Sequence, residues 1–318
     1  MGAYVIRRLL LGLGIIIIVS ILVFLLMHLL PGDPLILYMT EGQTASLSPE
    51  GLETLRHKFG LDKSLPEQYI SWIGGVLQGD MGTSIFSMEK VSVLIRQSLP
   101  ITLHLGIFAF LVAAILGPIF GTICALRRGK WIDSLLTVLA NLGVTTPAFW
   151  LGILMIYFFS LRLNWLPVFG YTSPFADFWL SLRQLVMPVI CLSIVPVASL
   201  TRQTRSNVLE VIRQDYIRTA WSKGLKERTI VMRHVMKNAF IPVVTVMGMH
   251  IPIIFSGSVL IETVFSIPGM GRLIVNGMLN QDFQVVQAAI LITSAIVVLA
   301  NLFVDLSYGY LDPRIRFG

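Results

Sequence analysis

Six uncharged runs constrain what this 318-residue chain can fold into: Leu9 to Gly32, Gln97 to Leu126, Ser134 to Leu161, Gln184 to Thr201, Ile241 to Ile261 and Phe283 to Val304. Each is long enough for a helix to cross a hydrocarbon core about 30 Å thick. Inside a bilayer no water satisfies the backbone N–H and C=O groups, so segments of this length read as α-helices. Charged residues make up 13% of the chain and hydrophobic ones 55%, against roughly a quarter charged in soluble domains. The reading is an all-α membrane protein with six transmembrane helices. The fourth run has only 18 residues and carries Pro188 and Pro196. The backbone groups freed by those prolines need neighbouring helices, so this span is expected to be kinked and packed inside a bundle.

Lys and Arg accumulate on the cytoplasmic side of membrane proteins. With the N-terminus inside, the cytoplasmic segments hold Arg7, Arg8, Arg127, Arg128, Lys130, nine residues between Arg202 and Lys237, Arg314 and Arg316. The outer segments hold half as many, and most of those lie in one long loop, where the bias counts weakly. Both termini are therefore expected in the cytoplasm. The first run exceeds the apolar stretch of a signal peptide, about 7 to 15 residues, and no small-x-small cleavage site precedes Pro31, so it is expected to stay as an anchor. Cys124 and Cys191 fall in apolar runs and read as small buried hydrophobes.

The outer loop from Pro31 to Gln97 is too long for a simple connector. Ser48-Pro49-Glu50 offers an N-cap with proline at the first helical position, and Leu52, Leu55 and Phe59 follow at helical spacing up to Gly60. A second helix is predicted after Pro66, with Tyr69, Trp72, Ile73 and Val76 on one face. These helices either lie across the outer mouth of the bundle or pack on their own spans.

Between Arg202 and Lys237 nine Lys/Arg stand against three Asp/Glu, so most of the chain's net charge of +7 sits in this loop. Leu209, Ile212, Tyr216 and Ala220, with Ile217 and Trp221 beside them, recur at three and four residues and predict one amphipathic helix ending at Gly224. Val231, Val235 and Ala239 suggest a second short helix, with Pro242 at the start of the fifth span. Such a basic amphipathic helix fits anionic lipid headgroups. The small residues Thr219, Ala220, Ser222 and Gly224 equally fit the close approach of a protein partner.

The segment Asp215-Tyr216-Ile217-Arg218-Thr219-Ala220, followed by Ser222-Lys223-Gly224-Leu225, Arg233-His234 and Asn238-Ala239, resembles the cytoplasmic signature of permease subunits in ATP-binding-cassette importers of the dipeptide/oligopeptide/nickel group. Further motifs extend the likeness over nearly the whole chain: Pro31-Gly32-Asp33-Pro34, Gly60-Leu61-Asp62-Lys63 with Gln68-Tyr69, Gly79-Asp80-Met81-Gly82-Thr83-Ser84, Pro268-Gly269-Met270-Gly271 and Asp312-Pro313-Arg314-Ile315-Arg316. The general importer signature opens on Glu-Ala-Ala, where this chain has Arg218-Thr219-Ala220. The missing acidic residue is similar to the peptide-importer version.

The resemblance implies a type I importer permease fold with an extracytoplasmic helical loop and a cytoplasmic coupling helix. It divides the chain into 1–97 (first span and outer helical region), 98–308 (permease domain, coupling loop about 202–240) and 309–318 (cytoplasmic tail). Tyr216, Ile217, Arg218, Thr219, Ala220, Lys223 and Gly224 would couple the spans to a cytoplasmic ATPase. The implied partners are a second permease, two ATPase subunits or domains, an extracytoplasmic substrate-binding protein and the lipid bilayer, with no nucleic acid. The implied location is the cytoplasmic membrane of a bacterium or archaeon. No cofactor is expected in this chain: it has no Gly-x-x-x-x-Gly-Lys-Ser/Thr phosphate loop, so ATP and magnesium would be held by the partners. Peptide import is the implied function, with nickel or another small ligand as the alternative within the same architecture.

Candidate pathway or gate residues are Asn141, Thr145 and Thr146, which with Pro147 interrupt the third run, and Glu262 at the outer end of the fifth. Glu262 and Asp305 are the carboxylates nearest the membrane, both expected at span ends that water reaches. His28, His104 and His250 lie on three different spans without ligand spacing, so no metal site is expected. Gly106, Ala109, Ala113, Ala114, Gly117 and Gly121 line one side of the second span and predict close helix packing. A secondary transporter is the rival class. It would show inverted repeats and mid-span carboxylates, and neither is evident here. An intramembrane hydrolase would need a Gly-x-Ser-x-Gly or His-Glu-x-x-His motif, which the sequence lacks.

Overall fold

The computed structural model describes residues 2–29, 53–54, 56–57, 60 and 62–311, with the side chains of 2–4 and 305–311 left aside. Of the predicted helix from Ser48 only Glu53, Thr54, Arg56 and His57 are described, and these are helical; the Pro31 to Pro34 motif, the Asp312 to Arg316 motif and the Asp305 side chain fall outside what is described. The described helices run in the order α1 (Gly2–Leu29), α2 (Leu65–Leu77), α3 (Val91–Leu126), α4 (Trp131–Thr145) and α5 (Ala148–Arg162). They continue as α6 (Phe178–Ile212), α7 (Asp215–Ser222), α8 (Glu227–Val264), α9 (Met270–Leu279) and α10 (Phe283–Leu311). Five of them, α1, α3, α6, α8 and α10, are long and apolar enough to cross a membrane, and the bent pair α4 and α5 together has the same length and apolarity, which gives six if that pair is one span.

The bend falls where Thr145, Thr146 and Pro147 interrupt the third apolar run. α4 and α5 meet at 105°. Proline disfavours the helical region for the residue before it, and Thr146, preceding Pro147, sits at φ −83°, ψ 122°. α6 is also longer than its 18-residue run, extending over 35 residues, because Arg202 and Arg205 end the uncharged run without ending the helix. Both internal prolines of α6 are buried. Within its apolar window 61% of residues are buried, against 22–33% in the other long helices, as the expectation of a span packed inside a bundle requires.

The basic loop departs from the sequence reading in two places. The single helix predicted through Leu209 and Ala220 is two helices: α6 ends at Ile212, and Gln214 turns extended (ψ 148°) to cap α7. The polar run Arg213-Gln214-Asp215 interrupts the helix while the apolar spacing carries across it. The second short helix is not separate either. Its residues lead through a π-helical turn, Ile230–Val235, straight into the fifth span, which places Pro242 inside α8.

The chain forms two compact units, each drawn from separate stretches of sequence. One comprises residues 6–102 and 268–299. In it the predicted face of α2 packs on its own span: Phe24 of α1 meets the rings of Tyr69 and Trp72, Tyr69 Oη lies 2.9 Å from Ser20 Oγ, and Gln68 Oε1 lies 3.0 Å from His28 Nε2. Val91 and Ile95 of α3 share a core with Met270 of α9 and with Val285, Ala288 and Ala289 of α10; Met81 packs against it. Two of the motif segments read from sequence thus meet in one core, and α9, which the sequence reading did not predict, supplies part of it.

The other unit comprises residues 1–5, 103–267 and 300–318. Here the small residues of α3 meet α6: a Cβ on Gly117 would lie 2.5 Å from Leu200 Cβ, and one on Gly121 2.5 Å from the Thr201 carbonyl oxygen. Ala109 and Ala113 are buried. The Thr201 hydroxyl donates to the Gly117 carbonyl at 3.3 Å, so the two backbones approach closely enough for an interhelical hydrogen bond.

Candidate functional site

The seven residues predicted to couple the spans to an ATPase lie on α7 and the turn after it, and the helix sorts them by face. Ile217 and Ala220 turn inward and are buried with Val208 of α6, Ala125 of α3, and Ile230, Val235 and Ala239 of α8. Tyr216, Arg218, Thr219 and Lys223 are exposed, together with Trp221 and Leu225. The periodicity of the sequence required such a division. The apolar stripe anchors α7 to its own chain, and the opposite face is free for something else. Arg218 lies 3.7 Å from Asp215 on that exposed face.

Two contacts fix α7 to the start of α8. Asn238 Nδ2 donates to the Tyr216 hydroxyl at 3.0 Å, while the neighbouring Ala239 lies in the core beneath Ile217. This gives the Asn238-Ala239 motif a physical role. Gly224 ends the element at φ +75°, with its N–H donating to the Trp221 carbonyl at 2.9 Å. Left-handed backbone of this kind favours glycine, and it turns the chain toward α8.

Beside α7, an ion pair that sequence reasoning missed ties the basic ends of α4 and α6 together. Arg205 Nε and Nη2 donate to the two Asp133 oxygens at 2.8 and 2.9 Å, and the Gly129 N–H adds a third bond to Asp133 Oδ2 at 3.1 Å. Asp133 is buried. This two-pronged arrangement is the strong form of a charge-assisted hydrogen bond. Its only sequence signal is a lone acid opening the third apolar run.

The pathway candidates are not brought together in the same way. Asn141 and Thr145 are exposed on α4, where the Thr145 hydroxyl is spent on the helix carbonyls of Asn141 and Leu142. Thr146 is half-buried at the bend. Glu262 lies near the end of α8 with no exposed surface, which corrects the expectation that water reaches it. The backbone wraps it, with the Ile267 N–H donating to its carbonyl at 2.8 Å. The histidines also have separate surroundings. His28 lies against Phe24 and Gln68, the His104 Nδ1 is 2.9 Å from the Tyr171 hydroxyl, and His250 is buried. Among the described residues no group of His, Cys, Asp and Glu is arranged to hold a metal ion. Outside the spans, burial raises the Tyr171 hydroxyl above its usual pKa.

Residues 117–317 match the family model described as the binding-protein-dependent transport system inner membrane component, and residues 1–106 match the N-terminal model of the same kind of membrane component. This chain belongs to that family. It is 40% identical over 316 residues to a putative peptide permease protein of Brucella suis biovar 1, covering 98% of each chain. It is 37% identical to a probable peptide ABC transporter permease of Sinorhizobium fredii, with 100% of each chain covered. It is also 37% identical over 337 residues to a dipeptide transport system permease protein of Alkalihalophilus pseudofirmus, again with 100% of each covered. Among solved structures, a chain of the MetNI methionine ABC transporter in inward-facing conformations superposes with a TM-score of 0.56 at 15% identity, over 69% of this chain and 96% of that one. The fold is therefore that of an importer permease. A membrane component of this family is associated with other permease and ATPase components.

Proposed function

We propose that this chain forms, with a second permease, the membrane path of an ATP-driven peptide importer. Substrate is handed over by an extracytoplasmic binding protein, and α7 docks on a cytoplasmic ATPase. The chain lies in the cytoplasmic membrane with both termini inside, and ATP is hydrolysed by its partners. The division of α7 carries this reading: a buried stripe locks it to α6, α8 and α3, while Tyr216, Arg218, Trp221 and Lys223 face outward. α6 leads into α7 and α7 into α8, both of span length. A displacement imposed on the exposed face is thus passed to two membrane helices through packed side chains, since close-packed interiors transmit strain. The names of the full-length relatives support peptides as the cargo.

The reading is tested by affinity purification of the tagged chain in mild detergent after co-expression with its candidate ATPase subunits. The ATPase co-purifies with the wild type, and Arg218→Glu with Trp221→Ala reduces its recovery while the permease level holds. Extracts that never contain an ATPase subunit would sink the proposal.

A further inference from the structure

A cavity of about 630 Å³ opens at the basic ends of α4 and α6, and its lining is unusually rich in cations: Arg128, Arg202, Arg205 and Arg213, against the single carboxylate of Glu210. Arg205 is already spent on Asp133. Arg128, Arg202 and Arg213 are exposed, and none of them has an ion-pair partner among the described residues. Three exposed guanidinium groups around one hollow, with a single carboxylate beside them, give it a positive potential that attracts anions. Guanidinium forks match phosphate oxygens, and the Thr137 and Ser206 hydroxyls on the same wall are further donors.

We propose that this cavity seats the phosphate headgroup of an anionic phospholipid. The surface beside it favours a lipid over a soluble anion. Leu135, Val138, Leu139 and Leu142 of α4 are each about half exposed, leaving an apolar flank for acyl chains, and Trp131 stands exposed at the start of the same helix, where amphipathic rings sit at a headgroup level. Basic pockets between membrane helices on the cytoplasmic side are suited to such headgroups. The lipid headgroup would lie between residues of α4 and α6, which the Asp133–Arg205 pair also joins. The inference rests on the membrane orientation and not on the identity of the cargo.

The test uses the intact chain, purified, delipidated and re-equilibrated in mixed micelles with phosphatidylglycerol or phosphatidylcholine, with retained lipid quantified by mass spectrometry. Wild type retains phosphatidylglycerol preferentially. Arg202→Gln and Arg213→Gln each lower that retention about fivefold, the equivalent of about 1 kcal/mol per basic residue at a membrane surface. Arg202→Lys and Arg213→Lys restore most of it, which separates loss of charge from misfolding. The matched pair Lys226→Gln and Arg228→Gln, on the exposed loop outside the cavity lining, leaves retention unchanged. Equal retention of the two lipids, or equal loss in the loop variants, would overturn the proposal. So would inorganic phosphate alone stabilising the chain against heat as well as phosphatidylglycerol does, which would indicate a free-anion site. Loss of the bound lipid on assembly with the ATPase and the second permease would assign the arginines to a protein partner. Because lipid retention is read without transport, failure here leaves the importer reading standing, and failure of the importer reading leaves this result intact.

Discussion

Gly224 has open space around the position a Cβ would occupy, with no atom within 4 Å, yet its φ is +75°. Its requirement is therefore conformational and not steric. A side chain at a left-handed position costs about 1–2 kcal/mol, more for β-branched residues and less for asparagine. Gly224→Val is expected to insert at wild-type level but to lose uptake relative to ATPase turnover, whereas Gly224→Asn keeps most of the coupling. Transport assayed beside ATPase activity in proteoliposomes checks both, and normal uptake by the valine variant would remove the turn from the coupling model. Asp282 gives a pH-dependent counterpart in the other unit. Its buried carboxylate accepts from the Ser84 hydroxyl and from the Phe86 and Val285 N–H groups, both at 3.4 Å. Burial nevertheless outweighs these bonds and raises its pKa above the ordinary 3.8. With the folded value above the unfolded one, the protonated form favours the fold: the stabilisation is complete below 3.8 and is lost as pH rises through the raised value. The melting temperature of the detergent-solubilised wild type should therefore fall with rising pH relative to Asp282→Asn across that window, and parallel melting curves at all pH values would refute the assignment.

The helices obey the spacing of small residues more closely than the boundaries of apolar runs. α3 and α6 touch where Gly117 and Gly121 leave no room for a Cβ, while a Cβ on Gly106 would meet the Phe255 ring at 3.5 Å and Ile254 Cγ2 at 3.8 Å, both ordinary contacts. Gly117→Ala and Gly121→Ala should each destabilise by about 1–3 kcal/mol, the usual cost of overpacking. Gly106→Ala should be nearly neutral, and thermal melting of the three variants distinguishes packing from a lipid-facing stripe. The predicted six runs located the helices because hydrocarbon tolerates no charge and no unpaired backbone group. They misplaced the ends because a helix does not stop where its charges begin. α6 carries Arg202 and Arg205 onward in the same rod, and α8 takes in Pro242 after a π-helical turn. The break between α4 and α5 was legible in Thr146-Pro147 only as an interruption. Its 105° angle was not.

At the scale of the whole molecule, the orientation rests on the distribution of Lys and Arg and is open to direct measurement. The native Cys124 and Cys191 are buried, so labelling of an introduced cysteine stands on a low background. A cysteine at Ser222 should react with a membrane-impermeant maleimide only in inverted vesicles, and one at Asp80 only in right-side-out cells; the opposite pattern would invert the topology. The sequence by itself determined the class, the six apolar runs of membrane length, the expected orientation and the position of the basic amphipathic loop, because each depends on local composition: apolar length, charge asymmetry, and a glycine placed after an amphipathic stripe. The tertiary structure alone decided what that stripe packs against, joined Asp133 to Arg205 across 72 positions, enclosed Glu262, and gathered Arg128, Arg202 and Arg213 around one cavity. These are relations between residues distant in sequence, fixed by how closely helix backbones approach, and no periodicity within a single segment encodes them.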